Sequence, residues 1–338
     1  MAGTPVCGAP AGQRAGAAFI RGFSWFVQGV CLEEAAMTEH WSNYLRAGIV
    51  HFMAFPECMD GEGPVAETVE RIVQDDFFEV IEITQVKDDN TRETLRNVFE
   101  QSGVTACFGA QPYLLKGGYD LNHAELETRG KAVADVKRGI DQAAFMGCSA
   151  VSVVSGPVTD DQAAARERLA EALTELAAYA QVKGLTLSLE TFDQVTYAKN
   201  RLVGPTEDAV AVSEMVRQEQ PSFGLLLDLS HLPLLGETPE HALQTVGEHL
   251  VHAHIGNCAM DDPEHPAFGD THPRFGMEGT RIGVEELAVF LRQLLETNYL
   301  SKGKRGIVSF EVKPMAGESS EAVIVGCKRA LNEAWRLV

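Results

Sequence analysis

The chain has 338 residues, 45% of them hydrophobic and 22% charged, with a formal net charge of -20 and a pI near 4.9. That length suits one large core: a barrel domain of roughly 250 residues with insertions fits as well as two average domains. The acidic balance argues against nucleic acid and anionic membranes as partners, since both require a basic footprint, and leaves sugars and other weakly charged small molecules open.

Met1 to Ala18 is rich in Ala, Gly and Pro without a sustained apolar core. It reads as a disordered or loosely attached tail, not a signal peptide. Residues 19–46 mix aromatics with polar residues and lack a clean period, which predicts an N-terminal extension with one short helix near Glu33 to Leu45. The rest, 47–338, reads as a barrel, so that 19–338 forms a single domain. Its predicted elements are a strand over Gly48 to Phe55, a helix over Pro64 to Gln74, a strand over Phe78 to Val86 and a helix over Thr91 to Gln101. A third strand, Thr105 to Leu115, precedes a long helix from Leu126 to Met146; a fourth, Ala150 to Ser155, precedes the helix Asp160 to Val182. Strand five ends at Glu190 and leads through a loop to a helix at Pro205 to Gln218. Strand six begins at Gly224, with the helix Pro239 to His249 after it, and strand seven holds His254. Strand eight holds Glu311, and the helix Ser320 to Leu337 closes the chain. Eight strand-helix units in alternation predict a parallel (β/α)8 TIM barrel.

One connection breaks the rhythm. Between strand seven and its helix lies Asn257 to Gly283, about 27 residues holding Asp270, His272 and Arg274. Long irregular loops in compact domains tend to be lids or binding loops, and this one leaves the barrel face where such enzymes keep their chemistry, so it is expected to cover the site. Seven cysteines, at 7, 31, 58, 107, 148, 258 and 327, form no Cys-x-x-Cys pair and read as reduced thiols of a cytoplasmic protein. No apolar run approaches the roughly 20 residues that span a bilayer.

The chemistry is expected where four apolar segments each end on a polar side chain: Glu190, Asp228, His254 and Glu311. A charged carboxylate in such a run costs several kcal/mol in order of magnitude unless a cation compensates it, so three of them beside a histidine predict a divalent-metal site at the barrel mouth. Three oxygens and one imidazole suit manganese or magnesium, with cobalt, iron(II) or zinc also compatible. Glu190 and Glu311 flanking a metal would shuttle a proton beside a carbonyl, by isomerisation, epimerisation or β-elimination alike. His231, three residues past Asp228, either meets substrate or caps a helix or backbone carbonyl. Lys313 either binds a substrate oxygen or pairs with a carboxylate. His272 and Arg274 contact ligand or anchor the loop to the rim; Gln111 and Glu82 give weaker signals of reaching the pocket, and His252 reads as packing.

The series Glu190, Asp228-x-x-His231, His254, Glu311 resembles the xylose-isomerase-like superfamily of sugar isomerases and epimerases over nearly all of Gly48 to Val338. The resemblance implies a metal held by those two glutamates, the aspartate and His254, with Glu190 and Glu311 as acid/base pair. Ile49-Val-His-Phe-Met-Ala-Phe-Pro56, Phe108-Gly-Ala-Gln-Pro112, Val251-His-Ala-His-Ile-Gly-Asn257, His265-Pro-Ala-Phe-Gly-Asp-Thr-His-Pro-Arg-Phe-Gly276 and Val308-Ser-Phe-Glu-Val-Lys-Pro314 are similar to the branch of bacterial C-glycoside deglycosidase alpha subunits. That closer resemblance implies a carbon-carbon lyase acting on 3-oxo-C-glycosides, in an oligomer with a small beta subunit. Its proton donor to the aglycone is left among His231, His272 and a water. A keto-sugar isomerase or 3-epimerase is the alternative.

Overall fold

The computed structural model describes residues 39–338. The expected tail at 1–18, most of the extension, and Cys7 and Cys31 lie outside them. Of the helix expected near Glu33 to Leu45, the described part holds a single 3-10 turn, Trp41–Asn43. It is tied to the end of the chain: Trp41 Nε1 donates to Asn332 Oδ1 at 2.9 Å and Trp335 Nε1 to Glu39 O at 2.8 Å.

Eight strands follow: β1 (Leu45–Val50), β2 (Val80–Ile83), β3 (Thr105–Gly109), β4 (Ala150–Val154), β5 (Thr186–Glu190), β6 (Gly224–Asp228), β7 (Leu250–Ile255) and β8 (Gly306–Phe310). All neighbours are parallel and β8 pairs back onto β1, so the sheet closes into the expected barrel. Gly48 on β1 permits that closure, because a Cβ there would sit 2.2 Å from Ser309 Oγ of β8. The helices are α1 (His51–Ala54), α2 (Val65–Val73), α3 (Asp89–Ser102), α4 (Gln111–Gly117), α5 (Leu126–Met146), α6 (Gln162–Val182), α7 (Thr206–Arg217), α8 (His231–Leu235), α9 (Pro239–Val246), α10 (Val284–Glu296) and α11 (Ser320–Trp335). Their boundaries have ordinary causes: Asp88, Asp161, Thr238 and Ser319 each accept a hydrogen bond from the first turn of the helix they precede, while Gly103, Gly118, Gly147 and Gly236 end helices in the left-handed region. No helix among the described residues is long and apolar enough to cross a membrane.

Several strands end earlier than expected, the second at Ile83 instead of Val86, and in two the early end starts a helix. The first stops at Val50 and the third at Gly109, and the chain turns at once into α1 and α4. An apolar run buried on all sides does not distinguish a strand from a helical turn. In the second case Pro112 carried the signal, since proline suits the first turn of a helix and not a central strand. A third short helix, α8, begins at His231 directly past β6. All three sit just beyond C-terminal strand ends, where they build the rim of the mouth. The segment from Gly256 to Gly283 holds no regular helix or strand. It is fastened by Asn257, whose Nδ2 donates to Arg274 O (3.0 Å) and Thr280 Oγ1 (2.8 Å), and whose Oδ1 accepts from the backbone N-H of Ile282 (2.7 Å) and Cys258 (2.9 Å).

Candidate metal centre

Parallel register brings the strand ends level. Asp228 pairs with His254 across β6 and β7, His254 with Ser309 across β7 and β8, and Glu190 with Leu226 across β5 and β6. A bulge between Leu225 and Leu226 sets that alignment. Glu190, Asp228, His254 and Glu311 consequently meet, one donor atom from each lying within 4.8 Å of all the others, and all four are buried. His254 Nδ1 is 2.6 Å from Glu311 Oε2 and 3.5 Å from Glu190 Oε1. Asp228 is aimed by Ser230, whose backbone N-H and hydroxyl donate to its two oxygens at 2.8 and 2.7 Å.

This donor set fits a divalent cation. Three carboxylates are gathered in a buried place, and Glu190 Oε1 has no hydrogen-bond partner there. Such an oxygen costs about 1–3 kcal/mol unless something neutralises it. Burial, reinforced by the charge of Glu311, pushes the Glu190 carboxyl up. Burial acts on Glu311 in the same sense, but the imidazoles of His272 and His254 prevail and hold it below the usual range.

Behind His254 stands Glu82 of β2, with both carboxylate oxygens 3.1 Å from Nε2. Only a protonated Nε2 tolerates that neighbour, so Nδ1 is the atom turned to the other three side chains, an arrangement that orients metal-binding histidines. Burial disfavours both charges, yet Glu82 and Glu311 together raise the His254 pKa well above the ordinary value, and His252 followed by His254 hold that of Glu82 well below it. Glu82 therefore sits a layer beneath the cavity and does not line it. His252 shares that layer, with Nε2 2.9 Å from Glu82 and 3.1 Å from Ser309 Oγ.

Above the centre is a cavity of about 270 Å3. Its lining combines the apolar Phe52, Met53, Pro112 and Leu115 with the polar or charged Gln111, Lys199, Asp270, His272, Glu311 and Lys313. Gln111 Nε2 donates to Glu190 Oε2 at 2.5 Å and to Ser152 Oγ at 2.9 Å, so the weak signal at Gln111 marked a residue that touches the centre. His272 reaches both cavity and centre: Nδ1 is 3.6 Å from Asp228 and Nε2 is 3.6 Å from Glu311.

Of the two readings of His231, substrate contact or a bond to a helix end or backbone carbonyl, the structure shows the second. Its Nδ1-H donates to Thr191 O at 2.7 Å, its Nε2 faces Asp270 Oδ1 at 3.2 Å, and its ring packs on Phe192 with centroids 4.6 Å apart. It is fully buried outside the cavity lining, the backbone-carbonyl role having prevailed. Burial opposes a charge on it, but Asp270 and Asp228 raise its pKa well above the imidazole range. Arg274 is likewise not brought in. Its Nε donates to Glu318 Oε1 at 2.8 Å on the rim, where both line a separate groove of about 670 Å3 along α11.

Two residues were missed as contributors. Asp270, known only as part of the long loop, receives His272 Nε2 (2.7 Å), His231 and Lys199 Nζ (3.1 Å), and those cations overcome burial to hold its carboxyl well below the usual range. Lys199 comes from the loop after β5. Neither follows a periodic pattern, and only the Asp270-Thr-His272 spacing hinted at a polar turn. Cys148 and Cys258 are buried thiols whose pKa burial raises, in keeping with packing roles.

The family model described as "Xylose isomerase-like TIM barrel" matches residues 66–326. No curated protein matches the sequence. Among solved structures, a D-psicose 3-epimerase is 17% identical with a TM-score of 0.63, over 85% of this chain and 97% of its own. The IolI protein crystallised with a zinc atom is 16% identical at TM-score 0.66 (86% and 98%), and 3-keto-D-glucoside 4-epimerase from E. coli is 17% identical at 0.59 (85% and 99%). At such identities the likeness shows the fold. The superfamily expected from the sequence is met, whereas the narrower deglycosidase branch rests on its sequence segments alone.

Proposed function

This chain belongs to the xylose isomerase-like TIM barrel family, and on that premise we propose that it is a divalent-metal-dependent isomerase or epimerase of keto-sugars. The observation that carries this reading is the convergence of Glu190, Asp228, His254 and Glu311, with two carboxylates facing each other beneath a sugar-sized cavity. The names of similar structures, a D-psicose 3-epimerase and a 3-keto-D-glucoside 4-epimerase, support the substrate class.

Glu190, Asp228, His254 and Glu311 would hold the cation. When bound, it supplies an electrophile for the sugar's carbonyl oxygen and so acidifies the neighbouring C-H. Glu190 and Glu311 would divide the proton transfer, one carboxylate taking that proton and the other returning one to the opposite face or the adjacent carbon. Gln111 fixes Glu190 through its Oε2. Phe52, Met53 and Leu115, which line the cavity, would limit water around the carbanion formed on the sugar.

The lyase implied by the closer resemblance would begin with the same proton removal. No feature of the cavity favours the departure of an aglycone, and the beta subunit rests on that resemblance alone. The test is incubation of metal-loaded protein with ketoses and 3-keto-glucosides in heavy water. Deuterium should enter beside the carbonyl, and Glu190→Gln or Glu311→Gln should slow entry by 100-fold or more, on the order expected for a lost acid/base group. Metal binding without deuterium entry into any such sugar would remove the proposal, and free aglycone from a 3-oxo-C-glycoside would replace it with the lyase.

A further inference from the structure

The charges around the cavity do not cancel evenly. Glu311, Asp270, His272, Lys199 and Lys313 line it. Glu311 lies against His254, Asp270 against His231 and His272, and Lys199 Nζ is 3.1 Å from Asp270 Oδ2 and 3.0 Å from its backbone oxygen. Lys313 is left over. The other lysines of the described residues, 87, 116, 131, 137, 183, 199, 302, 304 and 328, each meet a carboxylate or a backbone oxygen. The Lys313 ammonium, half-buried in a protein of net charge -20, meets neither among the described residues.

Its root is nonetheless fixed. The backbone N-H of Lys313 donates to His272 O at 2.7 Å, and His272 adopts a left-handed φ of 55° that few non-glycine residues take. The long loop thus locks the base of the side chain, whose charged end, in a residue lining the cavity, has no carboxylate or backbone-oxygen partner among the described residues. The apolar lining residues Phe52, Met53, Pro112 and Leu115 offer nothing to a charge.

Resting on the keto-sugar reading above, we propose that Lys313 recognises a carboxylate on the substrate, so that the sugar taken is a keto-uronate or keto-aldonate and not a neutral ketose. A carboxylate supplies the counter-charge and acceptor oxygens that a single ammonium with three donors can use. A phosphate dianion calls for a cradle of backbone amides at a helix start; the turn of Gly276, Gly279 and Gly283 before α10 does not line the cavity, and the helix start there is capped by Glu286, whose Oε2 accepts from the Gly283 N-H at 2.8 Å. An acidic protein repels anions at long range, so a free cation at the cavity is what would admit an acidic sugar.

Methyl glucuronide and methyl glucoside differ only in a carboxylate against a hydroxymethyl group, and neither holds a ketone to turn over. Their binding to the metal-loaded full chain reads recognition apart from catalysis. The glucuronide should bind about tenfold tighter at low salt, as a charged hydrogen bond allows, and the margin should shrink as salt is added. Lys313→Met should abolish the preference and Lys313→Arg keep most of it. Equal binding of the two glycosides overturns the assignment. So does a preference that survives Lys313→Met, which is what direct capture of the carboxylate by the metal would give, and so does tighter binding of glucose 6-phosphate. Deuterium entry into ketoses reads the catalytic proposal separately, and either result can stand without the other.

Discussion

Glu82 holds the far side of the His254 ring: both its oxygens lie 3.1 Å from Nε2, so that Nδ1 faces Glu190, Asp228 and Glu311. The two residues are 172 positions apart in the chain and meet only because β2 and β7 both turn side chains into the barrel. Replacing Glu82 by Gln keeps the size and removes the charge that fixes the ring. We expect metal affinity to fall about 10- to 100-fold, the usual loss when the partner behind a ligating histidine is changed. Calorimetric titration with Mn2+ measures it, and an unchanged affinity would show that the Glu82 contact serves packing alone.

Asn257 fastens the long loop through four hydrogen bonds, two of them from buried backbone N-H groups. Asn257→Ala strands those donors, so we expect a stability loss of about 2–3 kcal/mol and faster hydrogen exchange over 258–283. Because Asp270, His272 and the backbone of Lys313 depend on that loop, substrate KM should rise more than kcat falls. A variant that unfolds like the parent in urea and exchanges at the parental rate would contradict this role.

His51 is a buried imidazole whose Nε2 lies 2.8 Å from Thr68 Oγ1, and burial pushes its pKa down to about 3 from 6.5. A group depressed in the folded state contributes stability that is present above the unfolded value and is lost as pH falls toward the folded one. We therefore expect unfolding free energy to decline between pH 6.5 and 3, with a contribution from this residue of up to about 1.4 kcal/mol per pH unit. Denaturant midpoints against pH should show a shallower decline in His51→Gln. Parallel curves for the two proteins would assign the acid sensitivity elsewhere.

Glu190, Asp228, His254 and Glu311 are legible in the sequence because each interrupts the end of an apolar strand, and parallel strands of one barrel must bring such ends to one rim. Glu82, in Val80-Ile-Glu-Ile83, carries the same anomaly, but alternation along a strand does not tell which layer of the barrel a side chain occupies. Asp270 and Lys199 were unreadable for a different reason. They meet across 71 residues through two irregular loops, and no local pattern encodes such a contact. The choice between ligand contact and rim anchor for Arg274 and His272 was undecidable for the same cause: the path set by Asn257 turns Arg274 outward to Glu318 on the rim, while His272, two residues earlier, turns in. The helical turns α1 and α4 hid within apolar runs whose burial suits either structure.

The most direct test of the centre is the number of divalent ions retained per chain after dialysis against Mn2+, read by elemental analysis for the parent and for Asp228→Asn and His254→Gln. We expect one ion bound at this centre in the parent and its loss in each variant, with circular dichroism showing the barrel still folded. Retention of the same ion count by folded Asp228→Asn and His254→Gln would contradict a cation shared by these four side chains.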